Sequence, residues 1–261
     1  MNNQSKYVVI TGASSGIGYE SAKLFASKGY NLIIIARNME NIQKLKKEVT
    51  SGNRHIDVVI RQADLTEREN LYTLYNSLKE YNISTWINNA GFGNYRSVAE
   101  QNLNKIEKLL DLNITALVIL STLFVHDYAE VEGSKLINIS SAGGYIMVPT
   151  AVTYCASKFF VSSFTEGLAM ELKESGAKLQ AKVLAPAATE TNFGNVANDI
   201  DNYDYDKSFG KYHTSRQMAE FLYELHKSDK IVGHIDRESF TFKLSNPVFP
   251  YAGGSGHNQK L

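Results

Sequence analysis

Two short stretches carry residue types that could do chemistry. Gly12-Ala13-Ser14-Ser15-Gly16 can be read in two incompatible ways. It fits the G-x-S-x-G pattern of a hydrolase nucleophile elbow, with Ser14 on a strained strand-to-helix turn, ready to attack a carbonyl. The same small residues could instead let a dinucleotide pyrophosphate approach backbone N–H groups at a helix N-terminus, with Ser14 and Ser15 as donors. The second stretch, TYCASK, places Tyr154 and Lys158 at i and i+4, on one face of a helix beginning near Ala151. A phenol has a pKa of about 10, and proton exchange with an alcohol works best when the catalytic pKa lies near the operating pH. A cation about 5 Å away, at an effective dielectric of roughly 20, is worth roughly 3 kcal/mol, or about two pK units on the phenol. Lys158 could supply that push to Tyr154.

Alternating elements must position these residues. Short apolar runs at 7–11, 31–36, 56–62, 85–88, 135–140 and 179–185 read as strands, and 16–28, 38–50, 66–81, 100–131 and 151–176 read as helices. Most of the strands are continuously apolar, as parallel strands covered on both faces are. The alternation predicts a single-domain Rossmann-like α/β fold over residues 1–261, a doubly wound parallel sheet with helices on both faces. Right-handed crossovers put the loops after the strands on one edge, where a site is expected. Past Phe193 the pattern weakens: 194–213 is polar, acidic and tyrosine-rich, and a helix near 214–227 and a strand near 239–244 follow. We read 194–227 as a substrate-covering loop and helix, because too little chain remains for a second domain. The Pro/Gly-punctuated end from Ser245 onward reads as an irregular surface tail.

Composition narrows the function classes. The 261 residues include 27 basic and 27 acidic side chains, so no global field draws the chain to nucleic acid or an anionic membrane, and neither is expected as a partner. The longest apolar run, 115–125, falls short of the about 20 residues a bilayer span needs and reads as a buried helix. The N-terminus lacks the features of a secretory signal, and the single cysteine, Cys155, fits a reducing compartment; a cytoplasmic location is expected. Cys155 itself reads as a small packing residue. No cysteine/histidine cluster has metal-ligand spacing, so no metal is expected.

The spacing Gly12, Gly16, Gly18 departs from G-x-G-x-x-G, but these glycines follow the first strand and open a helix whose apolar face includes Ile17, Ala22, Leu24 and Phe25. NAD-preferring folds usually place an acid near the end of the second strand to hold the ribose 2′-OH. Here that strand ends in Ala36 and Arg37. A guanidinium suits a phosphate where a carboxylate would repel it, so NADP is favoured over NAD.

TGASSGIG, NNAG at 88–91, INISS at 137–141, YCASK, and PAATET at 186–191, taken in this order, resemble the short-chain dehydrogenase/reductase family from Lys6 to about Phe193. The resemblance implies an NADP-dependent oxidoreductase that transfers a hydride between the nicotinamide of NADP (NADPH) and a small-molecule carbonyl or secondary alcohol. It implies that Gly12, Ser14, Ser15, Gly16, Ile17 and Gly18 form the phosphate loop, with Arg37 beside it. Asp64 and Leu65 would contact adenine, Asn89, Ala90 and Gly91 would line the adenosine side, and Pro186 and Thr191 would lie at the nicotinamide end. Tyr154 would be the proton donor in carbonyl reduction, and Lys158 would also hold the nicotinamide ribose. Ser141 would hydrogen-bond the substrate oxygen, with Ser140 as second choice, and Asn113 would hold a water beside the lysine.

The resemblance further implies a homodimer or homotetramer built through the helices at 100–131 and 151–176. Gly143, Gly144, Tyr145 and Met147, with the segment after Phe193, would form the pocket wall. One departure stands out: Pro186-Ala187 replaces the usual Pro-Gly, putting a Cβ where glycine's freedom is often used. Two rivals are disfavoured. An NADP-binding sensor without turnover would not need Asn113, Ser141, Tyr154 and Lys158 together. A serine hydrolase would want an oxyanion segment ahead of Ser14, yet Ser14 follows the very first strand.

Overall fold

Successive strand residues point to opposite faces, so a strand covered on both sides must be apolar throughout. Tyr7–Thr11 (β1) and Asn31–Ala36 (β2) meet that condition along their middles, Val8–Ile10 and Leu32–Ala36, and β2 is buried at every position. Val8, Ile10, Leu32 and Ile34 pack into one core layer, while Val9, Ile33 and Ile35 pack into the other. Each such side chain contributes roughly 1.5–3 kcal/mol when fully buried, which fixes the strand register from both faces.

The computed structural model describes residues 6–52 and 55–252. After β1 comes α1 (Gly16–Ser27), and after β2 come α2 (Met39–Gly52), β3 (Val58–Gln62), α3 (Arg68–Asn76) and β4 (Ile83–Asn88). The chain continues through α4 (Leu103–Leu110), α5 (Leu117–Tyr128), β5 (Lys135–Ile139), α6 (Val152–Glu174) and β6 (Gln180–Ala185). The remaining elements are β7 (Thr189–Glu190), α7 (Phe193–Asn198), α8 (Tyr205–Ser208), β8 (His213–Thr214), α9 (Ser215–Lys227), β9 (Val232–Ile235) and β10 (Phe242–Ser245). The central sheet has eight strands in the order β10-β9-β6-β5-β4-β1-β2-β3. All its pairings are parallel except β9–β10. One face is covered by α1, α2 and α9, the other by α3, α5 and α6. The doubly wound Rossmann-like architecture is therefore as expected. Strand order reverses between β1 and β4, and the crevice beyond their carboxyl ends is where such sheets bind ligands.

Several boundaries differ from expectation. β3 starts at Val58 and β4 at Ile83, β5 stops at Ile139, and α3 is confined to Arg68–Asn76. The helix expected over 100–131 is broken: Asp111–Ala116 form a π-helical turn between α4 and α5. β9 went unanticipated because Gly233 and His234 interrupt its apolar run; Phe242 of β10 covers Gly233. The stretch around 194–213 is also more ordered than a loop: it carries α7 and α8, and β8 at its end pairs in parallel over two residues with β7 just before it. Leu103–Tyr128 is long and apolar enough to cross a membrane by length and composition, the mean hydropathy of its most apolar 18-residue window being 1.8. Here it packs on β4, β5 and α3, burying Ala116, Leu117, Leu120, Ser121 and Phe124.

Candidate active site

The β1–α1 turn is stitched to the end of β4. Thr11 Oγ1 accepts the backbone N–H groups of Asn89 and Ala90, each at 3.0 Å. In return the Asn89 amide donates to the carbonyls of Thr11 (2.9 Å) and Gly12 (3.2 Å). The Asn89 side chain thus braces the loop. Gly12 has φ +67°, and a Cβ there would stand 2.8 Å from the Ala90 Cα, so the close approach of the two loops requires glycine. Ser15 is the N-cap of α1, yet its side chain makes no capping bond, and the first turn contains no acid. The N–H groups of Gly16, Ile17 and Gly18 are the orphan donors that such a turn offers an anion. Ile17 is half-buried, its side chain packed against the core, and Leu65 is 5% exposed among Ile33 and Ile35, so Leu65 can face a ligand only through backbone.

At the ends of β2 and β3 an open cavity of about 540 Å³ is lined by Arg37, Arg61 and Asp64, among others. Arg37 is exposed and meets Asp64 at only 3.8 Å. Burial alone would raise the Asp64 pKa, but hydrogen bonds from Thr66 and the nearby Arg37 charge outweigh it and hold it below the ordinary value. Those bonds close a turn onto Thr66, so Asp64 does not cap α3. Arg61, not singled out from the sequence, leans over Tyr81 and donates to its hydroxyl at 3.4 Å.

The other end of the crevice is closed. α6 presents Tyr154 and Lys158 one turn apart on one face, 6% and 5% exposed. Lys158 Nζ donates to the Ile139 carbonyl at 2.9 Å and lies 6.0 Å from the Tyr154 ring centre. The π-helical turn delivers Asn113 inward, where its side chain clasps Phe92: Oδ1 accepts the Phe92 N–H (3.1 Å) and Nδ2 donates to the Phe92 carbonyl (3.0 Å). π-Turns within helices often mark functional sites. Gly91 lies against both Asn113 Oδ1 and Lys158 Nζ, so the three residues converge on one point.

Ser141 follows β5 and caps a short 3₁₀ turn, accepting the Gly143 N–H at 3.1 Å. Its hydroxyl lies on the Tyr154 side of the turn: a Cβ on Gly143 would stand 3.5 Å from Ser141 Oγ and 3.8 Å from the Tyr154 ring. Ser140 is buried and committed elsewhere, donating to the Lys158 carbonyl at 2.9 Å and pairing with Ser162 at 2.7 Å. Of the two candidate serines, only Ser141 faces Tyr154.

The electrostatics correct one expectation. Burial pushes the Tyr154 phenol well above its ordinary value, with Tyr95 adding to the rise and the nearby Ser141 hydroxyl opposing it. Burial also lowers the Lys158 ammonium, to about 8. Both groups pay the desolvation cost of a low-dielectric interior. The seal comes from Tyr95 and Phe193, whose rings stand 6.1 and 5.4 Å from that of Tyr154. Phe193 begins α7, which is fastened over the site: the Tyr95 N–H donates to the Ala197 carbonyl at 2.8 Å, and Lys105 pairs with Asp199 at 2.6 Å. Tyr95 escaped the sequence reading, its only local signal being the glycine-punctuated GFGNY after NNAG.

Thr191 lies against Gly16, its Oγ1 accepting the Phe193 N–H at 3.1 Å, so it joins the phosphate loop to the segment over Tyr154. The Pro186 carbonyl accepts the Ala142 N–H at 2.7 Å, tying this loop to the Ser141 turn. Ala187 takes no left-handed conformation, so its Cβ is accommodated without backbone strain. The pocket-wall expectation holds only in part: Gly143 and Gly144 are buried, Met147 is 81% exposed, and the Tyr145 hydroxyl turns into α6 toward Glu166. Cys155 is buried beside Gly143 as a packing residue, and no group of potential metal ligands occurs among the described residues.

The arrangement fits a dinucleotide: an exposed guanidinium at one end, uncapped N–H donors without a competing acid in the middle, and a proton-handling cluster at the other. The family model for short chain dehydrogenases matches residues 6–201. An uncharacterized oxidoreductase of Staphylococcus saprophyticus is 30% identical over 206 residues, covering 77% of this chain and 81% of the relative. A short-chain dehydrogenase from Sphingobium yanoikuyae, solved in complex with NADPH, is 29% identical and matches with a TM-score of 0.81 over 89% of both chains. An alcohol dehydrogenase from Comamonas testosteroni specific for bulky-bulky ketones is 26% identical, with a TM-score of 0.74 over 87% of this chain and 85% of that one. The glycine loop, the Ser141–Tyr154–Lys158 cluster and these matches agree, and the chain belongs to the short-chain dehydrogenase/reductase family of NAD(P)-binding oxidoreductases.

Proposed function

We propose that this oxidoreductase is an NADP-preferring carbonyl reductase/alcohol dehydrogenase. The observation that carries the reading is the convergence of Ser141, Tyr154, Lys158 and Asn113 at the end of a crevice whose other end exposes Arg37. Bound NADPH supplies the hydride. Ser141 Oγ–H donates to the substrate oxygen as negative charge develops on it. Tyr154, held protonated by its buried setting, delivers the proton to that oxygen. Lys158, anchored on the Ile139 carbonyl, keeps positive charge beneath the phenol as the proton leaves. Asn113 is locked to Phe92 and Ser157 and fixes the floor under Lys158.

Ser14, Ser15 and the first N–H groups of α1 would hold the pyrophosphate, Arg37 the 2′-phosphate, Asp64 and Leu65 the adenine, Lys158 the nicotinamide ribose, and Pro186 and Thr191 the nicotinamide end. α7, led by Phe193, covers the substrate and excludes water. An aromatic surround of Tyr95, Phe193 and Tyr154 favours apolar ketones, in keeping with the ketone-specific Comamonas relative. We propose the cytoplasm as the compartment.

The test is titration with NADPH and NADH followed by assay of ketones of increasing bulk, with Ser141→Ala alongside. Tighter NADPH binding, ketone reduction and its loss in Ser141→Ala are expected. A protein that binds neither nucleotide, or whose turnover survives Ser141→Ala, would sink the reading.

A further inference from the structure

The face of α6 that carries Tyr154 and Lys158 does not end with them. At the same i+4 spacing it continues through Ser162 and Glu166, all four side chains being buried. The second pair grips the residues on either side of Ser141. Ser140 is held by the Lys158 carbonyl and by Ser162, as described above. Tyr145, at the far end of the turn, donates its hydroxyl to Glu166 Oε1 at 2.5 Å. Between them Gly144 lies so close to α6 that a Cβ there would stand 2.6 Å from both the Lys158 carbonyl and Ser162 Oγ. Ser141 therefore sits on a turn clamped at both ends to the helix that carries Tyr154.

Glu166 is only 2% exposed, and its second oxygen is also taken. Oε2 accepts the backbone N–H groups of Val248 (2.6 Å) and Phe249 (2.9 Å). Phe249 then stacks on Tyr145, ring centres 5.3 Å apart and planes 14° apart, and also meets Phe159 of α6. Two helical turns beyond Glu166, Tyr251 donates to Glu174 at 3.0 Å. Residues 246–251 thus run along α6 instead of trailing as a surface tail; the rest of the expected tail, from 253 onward, lies outside the described residues. A carboxylate suits this node because it is acceptor-only and can satisfy three converging donors; a neutral amide would turn an N–H against at least one of them.

The geometry points to Glu166 as a positioning residue: through Tyr145, and braced by the Val248–Phe249 segment, it sets Ser141 against Tyr154. This rests on the proposed carbonyl reduction. The test compares Glu166→Gln, Tyr145→Phe and Phe249→Ala with the wild type by ketone-reduction kinetics, NADPH titration and amide hydrogen exchange. Glu166→Gln and Tyr145→Phe should each lower kcat at least about tenfold with NADPH affinity within about twofold, and the double variant should be little worse than either single one. Phe249→Ala, which keeps the carboxylate, should fall between them and the wild type. Exchange should rise in 141–145 and 246–251 of Glu166→Gln.

Wild-type kcat in both single variants despite a released tail would overturn the inference, as would a parallel loss of NADPH affinity. Should the wild type reduce no carbonyl, the proposed function fails separately. The clamp is then judged by exchange alone: release of 141–145 in Glu166→Gln supports it, and unchanged protection there overturns it.

Discussion

At the α6 end of the crevice Tyr154, Lys158 and Asn113 are buried and held by fixed partners, whereas at the β2–β3 end Arg37 and Asp64 face each other at 3.8 Å with side chains 67% and 40% exposed. The chemical demands differ in the same sense. Moving a proton needs groups whose distances are set in advance and whose charges are not screened by water. Recognising a phosphate needs a cation that can wait in solvent, since a buried guanidinium without its partner would carry a heavy desolvation cost. One end is thus organised before any ligand arrives, and the other is organised by the ligand.

Tyr154→Phe should strike hardest at the buried end, removing the proton donor while leaving the ring among Tyr95 and Phe193. A loss of about 10²- to 10⁴-fold in kcat with NADPH binding retained is expected. Steady-state kinetics beside a binding titration would check it, and a joint loss of binding would mean that the two ends are not separable.

Arg37→Ala should do the reverse at the open end. Losing a charge-assisted phosphate contact of about 1.5–3 kcal/mol would weaken NADPH binding about 10- to 150-fold and leave NADH binding and kcat nearly unchanged. Equal weakening of both nucleotides would count against a 2′-phosphate site at Arg37.

The pH profile sharpens the contrast further. Lys158 is lowered by burial to about 8, so its cation is present below that pH and lost above it. kcat/KM for ketone reduction should then fall about tenfold for each pH unit above about 8. A profile flat to about pH 10 would deny the lysine charge any part in the rate-determining step.

The smallest effect is expected at Asp64. In Asp64→Asn the exposed pairing with Arg37 disappears while an acceptor for Thr66 remains, and stability to urea should change by less than about 1 kcal/mol. A loss of several kcal/mol would mean that this edge is as tightly built as the other.

Much of this contrast was legible in the chain itself. β2 could be read because burial on both faces leaves an unbroken apolar run from Leu32 to Ala36, and the Tyr154–Lys158 spacing because one helical turn separates them. Arg37 could be read because a strand end has a defined place beside the glycine turn. What escaped depends on distant partners. β9 needs Phe242 to cover Gly233, and Tyr95 matters only because Phe193, far along the chain, closes on it. Glu166 looks like any solvated helix carboxylate until the Val248 and Phe249 amides arrive beside it. The π-helical turn gave no warning either, since LDLNITAL fits an uninterrupted helix equally well. Motif chemistry is local and survives in one dimension; the packing that tunes it is not.

That π-helical turn also makes the protein's activity separable from its architecture by a single codon. A π-turn is in effect a helix carrying one residue more than an α-helix would need. Deleting Leu112 would let the run relax to ordinary helix with α4 and α5 kept in register, and would remove the bulge that turns Asn113 inward. α5 would keep its seat on the sheet through Leu120 and Phe124, but the clasp of Asn113 on Phe92 could no longer close. The expected product is a folded protein with an unchanged circular dichroism spectrum and little turnover, a lesion invisible to any screen that scores only solubility.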